Sequence, residues 1–260
     1  MIEKIYEVYN PIVKKFSKNI ANITDINNLS APHIPGIGTE YMNAKLRICY
    51  LGIDTLGWIS IEEAMNNYDY YIGKTTVCLS NTDHIGQWSD NGKRSPFWRF
   101  VFNMQFRLND MGYLGFETNL NIESNNKSLN AFAWGNTNAL EKMATLNKKS
   151  KVIDKKKYNE LKMETGIFDN ISNFSYALNP DIYIVMNWGD RCGLEEFIGE
   201  SNIVNREELN EYVWKLTLKD NRLLYWTLHP RGMSFKGGYK KYLEIILNSI
   251  NNHKSHLNIT

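Results

Sequence analysis

The sequence predicts an α/β fold in three layers, with helices on both faces of a central, mostly parallel sheet of four strands. Two observations carry this prediction. Short apolar runs recur at 46–51, 129–134, 181–188 and 222–228, and amphipathic helical patterns separate them; strands covered on both faces read as such runs. Each run also stops on a glycine or a polar cluster: "GIDTLGW", "GNTN", "WGDRC" and "HPRGM". Ligands of parallel sheets sit beyond these carboxyl ends.

Taken in order, Ile2, Ile5, Tyr6, Tyr9, Ile12, Val13 and Phe16 are spaced by threes and fours, which predicts a helix over 2–20 despite Pro11. The turn-rich "NLSAPHIPGIG" connects it to the first strand, "KLRICYLG", and leaves His33 as a loop residue. Ser95 followed by Pro96 reads as a cap and first helical position, opening a helix to about Leu108. The second strand is "LNAFAW" and the third is "DIYIVMNWG", with a helix at about 169–178 between them. "EYVWKLTL" and "RLLYWTL", joined by "KDN", form a hairpin whose second arm is the fourth strand. "GYKKYLEIILNSI" closes the chain as a helix. The whole reads as a single domain over 1–260, with a helical N-terminal extension at 1–40 and a lysine-rich excursion at 141–168.

Composition narrows the chemistry. With 260 residues, 43% hydrophobic and 22% charged, the chain is long enough for one substantial core without staples. A net charge of +2 announces no general affinity for polyanions, so a basic surface must be local. Cys49, Cys78 and Cys192 form no C-x-x-C pair, which suggests neither a disulfide framework nor a zinc or iron–sulfur site. Neither a signal peptide nor an apolar run long enough to span a bilayer is present, which predicts a cytoplasmic protein without a membrane partner. No phosphate loop, dinucleotide fingerprint, G-x-S-x-G elbow or H-E-x-x-H motif occurs, so kinase, dehydrogenase, serine hydrolase and zincin readings lose weight.

Asp54, Asn136, Asn138, Asp190 and His229 all follow strand ends and could face one crevice. A carboxylate and an imidazole across a cleft, with amides between, can bind a planar polar ring and stabilise charge as a bond to it breaks. Each also has a plain reading: Asp and Asn are common in turns, and Phe97 or Trp98 at a helix start is commonly core.

Gly52-Ile53-Asp54-Thr55-Leu56 after the first strand and His229-Pro230-Arg231-Gly232-Met233-Ser234 after the last, with "IYIVMNWGD" between them, resemble the motifs of the uracil-DNA glycosylase superfamily. There the motifs have the forms Gly-Gln-Asp-Pro-Tyr and His-Pro-Ser-Pro-Leu-Ser. The resemblance runs from about Lys45 to the C-terminal helix and implies a cofactor- and metal-free enzyme that flips a nucleotide out of duplex DNA and cleaves its glycosidic bond. By position, Asp54 matches the carboxylate that stabilises the cationic sugar and orients water, and His229 the donor to the departing base. Asn136 or Asn138 matches the amide that reads the base edge, and Met233 the wedge that fills the vacated stack. Phe97 is placed to stack on the base, and Arg231, Ser234 and Lys236 to meet phosphates.

Leu56 stands where the uracil enzymes have a tyrosine that blocks substituents at pyrimidine position 5, and Trp58 reshapes the same pocket. The implied substrate is therefore a 5-modified pyrimidine, such as the hydroxymethyl- or glucosyl-hydroxymethylcytosine of phage DNA, and the implied role is antiviral defence by a monomer. Two alternatives stay open at this level: a non-catalytic module that binds modified bases, and a nucleoside or nucleotide hydrolase.

Overall fold

The computed structural model describes residues 2–20, 33–52, 95–109, 130–137, 171–188 and 194–256. Within them the chain is α/β, with the elements α1 (Ile2–Ile20), β1 (Gly36–Ile37), β2 (Ile48–Gly52), α2 (Pro96–Leu108), β3 (Phe132–Asn136), α3 (Ile171–Leu178), β4 (Ile182–Trp188) and α4 (Leu194–Ile198), followed by β5 (Ile203–Asn210), β6 (Val213–Leu218), β7 (Leu223–Leu228), α5 (Pro230–Met233) and α6 (Tyr239–His256).

The sheet corrects one expectation. It has seven strands in the order β1-β3-β2-β4-β7-β6-β5 and is mixed, rather than four-stranded. The runs identified from sequence form its centre: β2 is parallel to β3 and β4, and β4 is parallel to β7. The antiparallel strands extend it on both sides, β1 beside β3 and the β5–β6 pair beside β7. β5 escapes a hydrophobic-pattern reading because it is an edge strand with almost every side chain in water.

Side chains of the central strands alternate between two core clusters. Cys49, Leu51, Ala133, Tyr183, Val185 and Leu224 pack with α1, α3 and α4. Ile48, Tyr50, Phe132, Trp134, Ile184 and Tyr225 pack with α2, α5 and α6. α1 continues through the exposed Pro11 because Ile5, Tyr9, Val13 and Phe16 are buried along one stripe. Four such burials stabilise by roughly 6 kcal/mol or more, against about 3 kcal/mol lost to an interior proline. The extension at 1–40 is thus anchored to the core by this helix, while the excursion at 141–168 lies outside the described residues.

His33 lies in the connector before β1, outside any helix or strand, as the sequence predicts. It is 4% exposed, with its ring 5.1 Å from that of Trp134, and burial lowers its pKa to about 3. It is a loop residue whose side chain is packed into the core.

At the amino ends of the strands, Asp181 receives the backbone N–H of Arg47 at 2.8 Å and two guanidinium N–H groups at 3.2 and 2.7 Å. This clamp joins the entry of β2 to that of β4, away from the carboxyl ends.

Candidate functional site at the strand carboxyl ends

Gly52 pairs with Asn136, and Trp188 with Leu228, so the ends of the four parallel strands lie in one row. A buried polar line runs across it. The Trp226 indole donates to Asn187 Oδ1 at 2.7 Å, Asn187 Nδ2 donates to Thr137 Oγ1 at 3.1 Å, and Thr137 Oγ1 donates to the Gly52 carbonyl at 3.2 Å. The Thr137 backbone N–H donates to the same carbonyl at 2.9 Å. Asn187 and Thr137 are each 2% exposed, so these bonds are made where water does not compete. The line fixes β7, β4, β3 and β2 relative to one another at the last described residue before Asp54 in the sequence.

Asn136 is buried, and its amide closes on the end of β2. A methyl group placed on Gly52 would stand 2.9 Å from Asn136 Oδ1 and 3.3 Å from Phe97 Cε2. A glycine at this strand end is therefore what lets an amide from β3 and a ring from α2 approach the same spot. Phe97 is half-buried and meets Trp98 edge-on, with centroids 5.1 Å apart, whereas Trp98 is core, stacked on Phe102. Of the two aromatic residues at this helix start, Phe97 remains at the rim.

His229 ends β7 and caps α5. Its side chain accepts the Arg231 backbone N–H at Nδ1, 3.2 Å away, with Pro230 at the first helical position. A ring nitrogen that accepts carries no proton, so the ring is neutral and its N–H is at Nε2. β7 is two strands from β2, about 10 Å at the usual strand spacing.

Beyond His229 the chain turns through a basic segment. Arg231, Lys236, Lys240 and Lys241 are exposed there, Gly237 and Gly238 take positive φ of 108° and 87°, and the Lys236 ammonium lies 5.3 Å from the centre of the Tyr212 ring. The Ser234 hydroxyl donates to the Arg231 carbonyl at 2.7 Å, tightening the turn. Here the structure differs from the wedge expected at Met233. That side chain is fully buried between α2 and α6, because the single helical turn of α5 rotates it inward. The apolar side chain offered to solvent is Phe235, 83% exposed.

Asp54, Leu56, Trp58, Asn138 and Asp190 lie outside the described residues. Of the expected site residues that are described, Asn136 and Phe97 meet at the end of β2, and His229, Arg231, Ser234 and Lys236 group at the end of β7. Sequence reasoning missed Thr137, Asn187, Trp226 and Phe235. Asn187 carried a signal, as a polar residue inside the apolar run "IYIVMNW" must find partners when buried. Among the described residues, no group of His, Cys, Asp or Glu could hold a metal ion, and no helix is long and apolar enough to cross a membrane. No family model matches the chain, and no curated protein matches it in sequence.

Proposed function

We propose that this chain is a DNA glycosylase of the uracil-DNA glycosylase type that hydrolyses the N-glycosidic bond of a flipped-out, 5-modified pyrimidine and leaves an abasic site. The observation that carries the reading is His229: a neutral imidazole with its N–H held at Nε2, at the end of the last parallel strand, across the strand-end row from the Asn136 amide. A donor that must meet charge growing on a leaving base works best preorganised and uncharged, and such donors are worth roughly 10²–10³ in rate.

In this reading the Nε2–H of His229 donates to the pyrimidine O2 as the bond to the sugar breaks. The Asp54 carboxylate opposes the cationic sugar and orients the attacking water, whose oxygen ends on the sugar carbon while the base leaves with the electron pair. Asn136 reads the base edge with its paired donor and acceptor, Phe97 stacks on the ring, and Leu56 and Trp58 shape the space at position 5. Arg231, Lys236, Lys240 and Lys241 meet the phosphates of double-stranded, phage-derived DNA in the cytoplasm. Phe235, exposed among these cations, fills the gap in the base stack.

The test is to incubate the purified protein with phage DNA containing hydroxymethyl- or glucosyl-hydroxymethylcytosine, with unmodified DNA and with uracil-containing duplex, and to count aldehyde-reactive abasic sites. Sites in the modified DNA alone, lost in Asp54→Ala and His229→Ala, are expected. Sites in the uracil duplex alone overturn the modified-base reading. Retained DNA binding with no abasic product on any substrate overturns catalysis in favour of a base-binding module.

A further inference from the structure

The β5–β6 hairpin lies outside the parallel centre of the sheet, yet its turn falls at the strand carboxyl ends. β6 is antiparallel to β7 with Val213 opposite Thr227, so residues 210–212 stand beside the strand end that carries His229. Asn210 Oδ1 accepts the Tyr212 backbone N–H at 3.3 Å, which tightens the turn. The Tyr212 ring meets that of Trp188, the last residue of β4, edge-on with centroids 6.3 Å apart at 86°. Tyr212 is thereby fixed from two sides.

Its ring also meets the basic segment. The Lys236 ammonium lies over it, 5.3 Å from the centre. The backbone of Lys236 is held as well: its N–H donates to the Met233 carbonyl at 3.1 Å, and its carbonyl accepts the Tyr242 hydroxyl at 2.9 Å. The residue just before it is Phe235, whose ring stays 83% exposed. Gly237 and Gly238 follow directly, both at positive φ, so the turn draws no stiffness from that side.

The kind of contact matters. On β5, β6 and β7, Arg206, Lys215 and Arg222 are paired with Glu200, Glu207 and Asp220, which cancels their charge. Lys236 rests instead on a neutral phenol ring, and the Lys241 ammonium likewise lies 5.8 Å from the centre of the Tyr242 ring. Such a contact orients an ammonium without neutralising it. Hydrogen bonding to the Tyr212 side chain, with a smaller effect of Glu211, raises the pKa of Lys236 and keeps it charged. An oriented, uncancelled cation next to an exposed ring suits a phosphate that flanks a gap in a base stack.

We propose that Tyr212 is a positioning residue of the DNA-binding surface: it holds Lys236, and with it the turn that carries Phe235, in the orientation that meets the duplex. This rests on the part of the proposed function that has the basic segment meet phosphates, and not on catalysis.

Two measurements test it, one without DNA. A protease that cuts after lysine must draw the Lys236 ammonium away from the ring, so brief trypsin treatment followed by mass spectrometry reads the clamp at the Lys236–Gly237 bond. Anisotropy of a fluorescent DNA duplex at several salt concentrations reads binding. Tyr212→Leu keeps apolar packing on Trp188 but has no π face; it should speed cleavage at Lys236 roughly two- to fivefold, the worth of an exposed cation–π contact, with cleavage after Arg231 and Lys240 unchanged. It should weaken binding by a similar factor and make the salt dependence shallower, as Lys236→Ala does by losing one phosphate contact. Tyr212→Phe, which keeps the ring, should behave as wild type in both measurements. In a Lys236→Ala background, Tyr212→Leu should weaken binding no further. The proposal is overturned by unchanged cleavage in Tyr212→Leu, by faster cleavage with unchanged binding, by additive losses in the double variant, or by a wild type that binds no duplex. A wild type that binds duplex and responds as expected but leaves no abasic sites supports it and overturns the glycosylase reading alone.

Discussion

The acid stability of the fold should be governed in large part by His33. The folded chain keeps this ring neutral, with a pKa lowered by burial from 6.5 to about 3. The unfolded chain titrates near 6.5, so below that pH it binds the extra proton and gains free energy that the folded chain cannot. Stability from this residue is therefore complete above pH 6.5 and is lost progressively as the pH falls from 6.5 toward 3. At pH 5 the unfolded ring is almost fully protonated and the folded ring almost not at all, a penalty of about 2 kcal/mol relative to pH 7.5. The unfolded state sets that figure, since any folded pKa below about 4 leaves the ring neutral at pH 5.

His33→Phe keeps an aromatic ring against Trp134 and removes the titration. Urea unfolding of both proteins at pH 7.5 and pH 5 isolates the residue, because the other groups and the pH-independent cost of the substitution cancel in the double difference. Wild type should lose about 2 kcal/mol more than the variant on acidification. Equal losses in the two proteins would refute the assignment of His33 as a buried neutral ring.

Three further outcomes follow from contacts described above. Gly52→Ala brings a methyl group against Asn136 Oδ1 and Phe97; base excision should fall at least roughly tenfold while the urea midpoint moves by an amount typical of mild overpacking, about 1–2 kcal/mol. Asn187→Leu leaves the Trp226 donor without its acceptor and removes the bond that the Thr137 hydroxyl accepts and should cost about 2–3 kcal/mol, read by denaturation and by an upfield shift of the Trp226 indole proton. Phe235→Ala removes a solvent-exposed ring and should leave stability within about 0.5 kcal/mol while weakening excision; an unchanged rate on duplex substrate would remove Phe235 from the proposed interface.

The centre of the fold was legible because its physics is written in periodicity. β2, β3, β4 and β7 are covered on both faces and so appear as apolar runs, and the hairpin of β6 with β7 is marked by its turn. β5 was not legible: "IVNREELN" buries no face and is strand only because β6 offers a free edge. β1 is two residues long and is defined by its partner β3. At the site, His229 could be found because a proline follows it at a strand end. The choice between Met233 and Phe235 could not be made, since it depends on the phase of a four-residue helix too short to show a repeat. Thr137 and Asn187 are ordinary turn and strand residues until the sheet order sets them beside Gly52.

The polar line from Trp226 to Gly52 also divides labour within the molecule. Strand ends joined side to side behave as one plate, so a change in preferred ligand has little to gain from altering the plate and much to lose. A change of target then costs the plate least when it is made in the stretch that follows Gly52 in the sequence, with Leu56 and Trp58. A family built on such a plate could diversify its targets by exchanging one loop while leaving its chemistry in place.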